Sequence, residues 1–286
     1  MKKWIYRAMI ILFAAIFICS ASYVAIYWIN SNKAAKNYTE LQNIKEQSTQ
    51  TPRPTIPQDD PGVTDPTDPT DPSPTVPSEP PNYVDVTDPE TGEVQQVLPE
   101  FSQLYEMNND LVGWIQIPGT EINYPVMQTP DRPNYYLTRN FDKEDSAHGA
   151  IYVSEACNVN TPSDNVTIYG HRMRDGSMFY QLENYKKKSF FEKNRYIYFD
   201  TLTEFHTYEI IAVFKTTATV GEGFAYHTFV DAENEAAFDE FVSTCKELSF
   251  YDTGVTAEYG DKLITLSTCE YSQTNGRLVV VAKRII

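Results

Sequence analysis

Three residues of this chain, a cysteine, a histidine and an arginine, each lie at the end of a β-type run and could together carry out covalent chemistry. Cys269 ends the apolar run LITLSTC, His171 follows VTIYG, and Arg277 opens the final run RLVVVAKRI. A cysteine where a strand gives way to a loop is partly exposed, as a thiolate nucleophile must be. A histidine at another strand end could exchange a proton with it, and a permanently charged arginine could stabilise an oxyanion. The pattern predicts a cysteine nucleophile with a histidine partner.

Each of these residues also has an ordinary structural interpretation. A single histidine in a β protein is more often hydrogen-bonded or on the surface than catalytic, and an arginine at a strand edge is commonly an exposed charge. The chemical interpretation depends on all three occurring together with a free thiol. Cys19, one of four cysteines, lies in an N-terminal apolar run. An odd number is left for the globular part, so at least one thiol stays free if that part is exported.

The remaining cysteines and histidines are weaker candidates. Cys245 lies on the apolar stripe of a helical pattern and is predicted to be a core residue. Cys157 lies in the polar stretch ACNVNTPSDN and is interpreted as a loop residue. Three further histidines could replace His171, although none follows a Tyr-Gly strand end: His148, His206 and His227. No CxxC motif and no Cys/His cluster occurs, so neither a metal nor another cofactor is predicted.

The elements that must position these residues are mostly short β-type runs. Residues 114–126 (WIQIPGTEINYPV) alternate and turn at Pro118-Gly119, which predicts two strands around a turn. Further strands are predicted at residues 149–154, 165–169, 196–199, 207–216, 262–268 and 277–285. Helical patterns occupy residues 101–111 and 232–248. Many short strands with one late helix predict a mainly β fold, a closed or nearly closed barrel with helical additions.

The N-terminal segment predicts a membrane anchor. Residues 8–29 carry no formal charge, and a bilayer core needs about 20 helical residues to span it. The basic residues of the preceding tail, residues 1–7, favour a cytoplasmic N-terminus and an extracellular globular part. The alternative is a cleaved signal peptide with a small-residue site at Ser20, Ala21 and Ser22, but the apolar run continues past it.

A Pro/Thr/Asp-rich stretch follows the apolar segment. Residues 64–81 (TDPTDPTDPSPTVPSEPP) place Pro at nearly every third position, which excludes a helix and favours extended polyproline II. The predicted role is a spacer within an extracellular linker, residues 30–95, that precedes the catalytic domain, residues 96–286. A docking motif for a Pro-recognising partner is the alternative.

The net charge of the chain excludes one class of partner. It is −16 at pH 7. Nucleic-acid binding depends on clustered Lys and Arg, so no nucleic-acid partner is predicted.

The chemical segments resemble those of a known family. TLSTC (Thr265–Cys269), followed by Arg277, resembles the active-site hairpin of sortases, and YGHRMRDGSMF resembles their histidine segment. Ser267 within that motif, GWIQIPGTEINYPV, DRPNYYL and the long helix before the last hairpin all resemble class B. The resemblance implies a sortase-like closed β-barrel with an N-terminal helix and a helix before the last β-hairpin. It covers nearly the whole globular part.

The resemblance also implies a reaction and its partners. Cys269 would attack a Thr carbonyl in the C-terminal sorting signal of an exported protein, with protonated His171 as general acid and Arg277 stabilising the oxyanion or positioning the signal. An amine of a peptidoglycan cross-bridge or stem peptide would then resolve the thioester. No cofactor is implied. The enzyme would sit in the cell membrane of a Gram-positive bacterium through its N-terminal helix.

Five further positions are implied to contact the sorting signal. Ser267 and Glu270 flank the nucleophile in the class B pattern and are expected to line the groove. Three more follow from an approximate alignment: Leu137, Thr217 and Tyr226.

Two other functions remain open on the sequence. A non-catalytic, sortase-like binding domain on the cell surface would keep the fold, although the intact Cys/His/Arg set argues against it. A pilus-assembling sortase would transfer to a Lys amine, but such enzymes resemble class C and usually have a lid segment and a C-terminal membrane helix, which this sequence does not show.

Overall fold

The structure is a computed structural model that describes residues 2–49, 53–54, 82–219 and 221–286. In chain order the elements are α1 (Lys2–Ser48), β1 (Val84–Thr87), β2 (Val94–Val97), α2 (Pro99–Met107), β3 (Leu111–Gln116), β4 (Asn123–Met127), β5 (Ile151–Val153), β6 (Asn165–Tyr169), α3 (Lys188–Phe191), β7 (Tyr196–Thr201), β8 (Thr207–Thr217), α4 (Glu235–Leu248), β9 (Leu263–Cys269) and β10 (Gly276–Arg284). The chain divides into two compact units, Met1–Leu41 and Gln42–Ile286.

The first unit consists of the N-terminal part of α1. This helix contains an apolar segment of mean hydropathy 2.5, and no residue of that segment is buried. The helix is therefore a candidate membrane anchor. It continues beyond the predicted apolar segment to Ser48, and Ala, Lys, Glu, Gln and Leu, which favour helix, make up about half of residues 30–48.

The second unit is built around a closed eight-stranded barrel with the order β10-β8-β7-β3-β4-β5-β6-β9. Most neighbours are antiparallel, but β4 pairs with β5, and β6 with β9, in parallel. Gly119, at a φ of 75°, allows the predicted turn between β3 and β4. The mainly β, closed-barrel prediction is confirmed, as is the helix before the last hairpin.

Helix α4 covers one side of the barrel. Its N-cap Asn234 accepts a hydrogen bond from the Ala237 N–H at 3.0 Å, a common start for a helix. The apolar stripe of α4 packs on β8 and β10 in one buried cluster that includes Phe238, Phe241, Val242, Cys245, Phe214 and Val279. Strands β9 and β10 are buried on both faces over most of their length, and α4 covers Val279 and Val281 on the outer face of β10. Cys245 is therefore a core residue, as predicted.

The domain boundary differs from the predicted one at residue 96. The compact second unit already begins at Gln42. It includes a hairpin in which β1 and β2 pair from Val84↔Val97 to Thr87↔Val94. Strand β1 lies within the predicted linker, residues 30–95, and β2 crosses its end. Residues 64–81, the predicted polyproline spacer, lie outside the described residues.

Candidate active site

Strand pairing places Cys269 beside Arg277. The two residues are directly opposite each other in the antiparallel β9–β10 ladder, so their side chains emerge on the same face, with Cβ atoms about 4.5–5.5 Å apart in such pairs. The connecting turn is closed by a hydrogen bond from the Glu270 N–H to the Gly276 carbonyl at 2.9 Å. A Cβ on Gly276 would lie 2.3 Å from the Glu270 carbonyl oxygen, so the turn requires glycine there. Cys269, a free thiol at the end of β9, is half-buried.

The parallel pairing of β6 with β9 brings His171 to the same end of the barrel. Tyr169 on β6 pairs with Ser267 on β9. His171 lies two residues after Tyr169, and Cys269 lies two residues after Ser267, so the parallel register places both at the same level of the barrel. Thr268 donates to the Gly170 carbonyl at 2.8 Å, which ties the two strand ends. A side chain on Gly170 would lie 2.5 Å from Ile151 and 2.6 Å from Phe179, so the Tyr-Gly-His segment needs glycine at this position.

The imidazole of His171 is held by one hydrogen bond and one close packing contact. Its Nε2 lies 2.7 Å from the Leu137 carbonyl oxygen, and because a carbonyl only accepts, Nε2 carries the hydrogen. The backbone of Gly149, at a φ of 58°, approaches the ring so closely that a Cβ would lie 3.1 Å from its Cδ2. This arrangement fixes the ring and leaves Nδ1 as the nitrogen that can exchange a proton.

A single cleft of about 490 Å³ joins these side chains. Cys269, His171 and Arg277 all line it, so the structure brings together the three residues that the sequence singled out. Of the predicted substrate contacts, Leu137, Ser267 and Tyr226 also line the cleft. Sequence reasoning had not singled out several other lining residues: Asn134, Tyr152, Ser154, Glu155, Ala156, Tyr169, Thr268 and Ala218.

Ser267 and Tyr226 form a hydrogen bond in the wall of the cleft. Their oxygens are 2.6 Å apart, and both residues are buried. Burial raises the pKa of Tyr226, against the opposing effects of the Ser267 hydrogen bond and the Arg277 charge. The phenol therefore stays protonated at neutral pH and can donate to Ser267 or to a bound ligand.

The neighbouring tyrosines Tyr152 and Tyr169 form a second wall. They are opposite each other on β5 and β6, with ring centroids 5.4 Å apart. Burial raises the pKa of both phenols. Tyr169 directly precedes Gly170 and His171, and this adjacency was the signal in the sequence that could have identified it.

Two of the predicted substrate contacts are placed elsewhere. Thr217 donates its hydroxyl to the Thr274 carbonyl at 3.0 Å and does not line the cleft, although its neighbour Ala218 does. The Glu270 carboxylate is buried against Lys186 and Ser272 rather than in the cleft. Both differ from the expectation: Thr217 is the last residue of β8 and Glu270 the first residue after β9, and neither is among the residues that line the cleft.

The Glu270 carboxylate is part of a charged network. Burial opposes its ionisation, but hydrogen bonds from Lys186 at 2.8 Å and from the Ser272 N–H and hydroxyl at 2.9 and 2.6 Å lower its pKa to about 2. Lys186 also pairs with Glu183 at 2.8 Å, and Glu183 lies 3.3 Å from Arg172 Nε. The network therefore connects the residue after Cys269 to the residue after His171.

Arg172 makes a second, more direct connection between the two loops. Its guanidinium lies 5.0 Å from the centre of the Tyr271 ring and 5.2 Å from that of Tyr180. Cation–π contacts of this length contribute about 0.5–1 kcal/mol at exposed sites.

The remaining histidines differ in their placement. His148 is buried and lies 2.7 Å from the Asp175 carboxylate. His206 is buried beside the β7–β8 turn, and burial, aided by the charges of Arg284 and Arg53, lowers its pKa to about 4. His227 does line the cleft, with its ring 5.5 Å from that of Tyr226.

Cys157 is in the loop after β5, as predicted, but it is buried there. Its thiol lies 3.5 Å from the Asn165 carbonyl oxygen and accepts from the Thr167 N–H at 3.5 Å, and burial raises its pKa. Within the part of the chain that the structure describes, no three or more His, Cys, Asp or Glu side chains are grouped to hold a metal ion.

Comparison with known proteins identifies the fold and its relatives. The family model described as the Sortase domain matches residues 115–285. Sortase B of Staphylococcus aureus is 35% identical over 193 residues, which cover 67% of this chain and 77% of that protein. Sortase B of Listeria monocytogenes is also 35% identical, over 194 residues that cover 66% of this chain and 76% of that protein.

Solved structures of sortase B are also similar to this chain. The Staphylococcus aureus sortase B–substrate complex superposes with a TM-score of 0.61 at 36% identity, covering 66% of this chain and 86% of that one. Sortase B of Bacillus anthracis in complex with AAEK1 superposes with a TM-score of 0.64 at 30% identity, covering 90% of this chain and 98% of that one.

Proposed function

Because the chain belongs to the sortase family, we propose that it is a class B cysteine transpeptidase that cleaves a C-terminal sorting signal after Thr and transfers the protein to a peptidoglycan amine. The observation that carries the proposal is the convergence of Cys269, His171 and Arg277 on one cleft at the β6, β9 and β10 ends. A thiol, a proton carrier and a fixed positive charge are the groups that acyl transfer through a thioester needs.

In the first half-reaction, Cys269 Sγ attacks the carbonyl carbon of the signal's Thr. The developing oxyanion lies on the side of the hairpin that Arg277 shares with Cys269, so the guanidinium can stabilise it. The peptide bond then breaks, and His171 Nδ1 donates a proton to the leaving amine. The Leu137 carbonyl supports this role, because its hydrogen bond to Nε2 holds the ring and leaves Nδ1 as the nitrogen that transfers the proton.

In the second half-reaction, a peptidoglycan amine attacks the thioester. The neutral His171 removes the proton that the amine loses, and Cys269 leaves as a thiolate. The same imidazole thus acts first as acid and then as base, which returns the site to its starting protonation.

The cleft wall supports recognition of a peptide. Leu137 offers a side chain that is 39% exposed, whereas the Tyr226–Ser267 pair offers polar atoms inside the cleft. We assign these three residues to the sorting signal, whereas the hydrogen bonds of Glu270 and Thr217 favour structural roles for both. The Staphylococcus aureus relative is a sortase B–substrate complex, which supports a substrate-binding role for this fold.

The proposed cellular arrangement follows from α1. The tail of residues 1–7 is cytoplasmic, the apolar part of α1 spans the cell membrane once, and the catalytic unit is extracellular. The apolar window of α1 supports the anchor, and the basic residues before it support the orientation. Exported proteins with a sorting signal are the donor substrates.

The test is a peptide assay on the full chain in detergent micelles. Fluorogenic pentapeptides that end in Thr-Gly or Thr-Asn are incubated with the enzyme and with its Cys269→Ala variant, while intact mass is followed. We expect cleavage after Thr and an acyl adduct that is missing from the variant. If no peptide is cleaved and Cys269 does not react with thiol-directed probes, the proposal is wrong and a binding domain takes its place.

A further inference from the structure

The chain makes specific contacts with the barrel before it enters the Pro/Thr/Asp-rich stretch. Gln42, the first residue of the second unit, donates from Nε2 to the Asn123 carbonyl at 2.7 Å. Asn123 in turn accepts from the Trp114 indole at 2.6 Å through its side chain. These contacts join the end of α1 to β3 and β4, well before the predicted start of the catalytic domain.

Lys45 lies over an aromatic surface beside a buried acid. Its ammonium is 5.8 Å from the centre of the Phe101 ring and 5.7 Å from that of Trp114. Glu100 is 1% exposed, and neither carboxylate oxygen has a hydrogen-bond partner among the described residues. Burial raises the pKa of Glu100, and the Lys45 charge is the largest influence that opposes this. Lys45 is therefore a cation placed close to a carboxylate that water cannot reach.

Arg53 meets a second buried acid. Its guanidinium forms an ion pair with Asp200, which is 1% exposed, and donates to the His206 carbonyl at 3.4 Å. The same guanidinium lies 4.1 Å from the centre of the Tyr198 ring. The other Asp200 oxygen accepts from the His206 N–H at 3.2 Å. A buried carboxylate that loses its cation is strongly destabilising, so Asp200 depends on Arg53 for its charge partner.

The chain that follows the stretch is also attached near Asp200. Tyr83 donates its hydroxyl to the Thr203 carbonyl at 3.2 Å, and the Leu98 N–H donates to the Leu202 carbonyl at 2.7 Å. Thr203 and Leu202 lie in the turn between β7 and β8, next to Asp200. The two described flanks of the stretch, Arg53 and Tyr83, are thus both attached to one hairpin.

We infer that Glu100 and Asp200 form an acidic socket that binds Lys45 and Arg53 of the same chain, so that the chain is attached to the barrel both before and after the Pro/Thr/Asp-rich stretch. Lys45 and Arg53 supply the two cations, and Phe101, Trp114 and Tyr198 supply the apolar faces on which their side chains lie. The segment before the stretch is then attached to the barrel non-covalently as well as covalently. This inference is independent of the proposed reaction.

The experiment is to cut the chain within the stretch and ask whether the two pieces stay together. Residues 64–70 of the full chain are replaced by the recognition sequence of a sequence-specific protease, and the protein is placed in vesicles of phosphatidylcholine and phosphatidylglycerol. After complete cleavage the vesicles are sedimented. We expect the C-terminal fragment to sediment with them, and to co-elute with the N-terminal fragment on gel filtration in detergent. Release of that fragment into the supernatant, with separate elution in detergent, would overturn the inference.

Matched variants test whether the socket is the cause. The pair Lys45→Met and Arg53→Met should lose co-elution after the cut while remaining a single intact protein before it. Lys187→Met with Lys188→Met removes two exposed cations outside the socket and should retain co-elution. If the Lys45/Arg53 variant also retains its fragment, the assignment to the acidic socket is wrong. If that variant fails to fold, Arg53→Met alone is cut and analysed in the same way, and its fragments should separate more readily than those of the wild type because Asp200 has lost its cation.

Discussion

Arg277 lies directly across the β9–β10 ladder from Cys269. The pairing is a backbone property: any residue at position 277 would face position 269, and what arginine adds is a planar, permanently charged donor group. The proposed chemistry uses that charge where the oxyanion forms, so substitutions at position 277 separate charge from geometry.

Arg277→Ala should lower kcat by about 10²–10³, the usual effect of removing one oxyanion-stabilising donor. Arg277→Lys keeps a positive charge but loses the fork of N–H donors, so it should recover only part of that loss. Steady-state kinetics on the peptide identified by the Thr-cleavage assay provide the measurement. A lysine variant with full activity would show that charge alone is needed, and an alanine variant with full activity would remove Arg277 from the mechanism.

His171→Ala should lower kcat/KM by about 10²–10⁴, because a positioned acid–base group contributes that much. His227→Ala is the matched control, since His227 lines the same cleft without the Leu137 hydrogen bond that holds His171. Its variant should change KM more than kcat. If His227→Ala lowers kcat/KM more than His171→Ala does, His227 rather than His171 carries the proton.

The Tyr226–Ser267 pair should show coupling in a double-mutant cycle. Tyr226→Phe or Ser267→Ala alone leaves a buried hydroxyl without its partner, at a cost of about 1–3 kcal/mol. The double variant removes both hydroxyls and should cost less than the sum of the single changes. Thermal unfolding and KM for the peptide are measured on all four proteins. Additive effects on both would mean that the hydrogen bond contributes nothing.

Lys186→Met should destabilise the protein in a pH-dependent way. The pKa of Glu270 is about 2 in the folded protein, below its ordinary value of 4.5, so its ionic interactions stabilise the fold fully above about pH 4.5 and are lost as the pH falls towards 2. The variant should therefore have a lower Tm than the wild type at pH 7, and the difference should shrink towards pH 3.

The Lys186→Met comparison has two controls. Lys187→Met removes a neighbouring exposed cation and should leave Tm unchanged. Adding Glu270→Gln to Lys186→Met should recover part of the lost stability, because no unpaired buried charge remains. An equal Tm difference at every pH would show that Lys186 acts through its packing rather than through Glu270.

The sequence alone was sufficient for the class of fold and for three residues that the structure brings together in one cleft. Cys269 ends a β-type run, His171 follows one and Arg277 begins one. The alternation of apolar and polar residues identifies such runs without any long-range information. The turn at Pro118-Gly119 and the stripe of Phe238, Phe241 and Val242 are local in the same sense. Local patterns of this kind predicted the barrel strands and α4.

Side-chain direction beyond a strand end was not predictable in the same way. The family resemblance implied that Thr217 and Glu270 line the groove, but Thr217, at the end of β8, donates to the Thr274 carbonyl, and Glu270, just after β9, accepts from Lys186. Tyr152 and Tyr169 became neighbours only through the pairing of β5 with β6. The direction of a side chain at a turn depends on backbone angles and on partners far away in sequence.

By itself, the sequence determined which residue types could react, where the strands and helices lie, and that an apolar segment begins the chain. Only the tertiary structure decided that the parallel β6–β9 register brings His171 level with Cys269, and that Arg53 reaches Asp200 while Tyr83 returns to Thr203. The physical reason is the same in both cases. Strand register and buried ion pairs join residues distant along the chain, and their energies depend on burial, which no local pattern records.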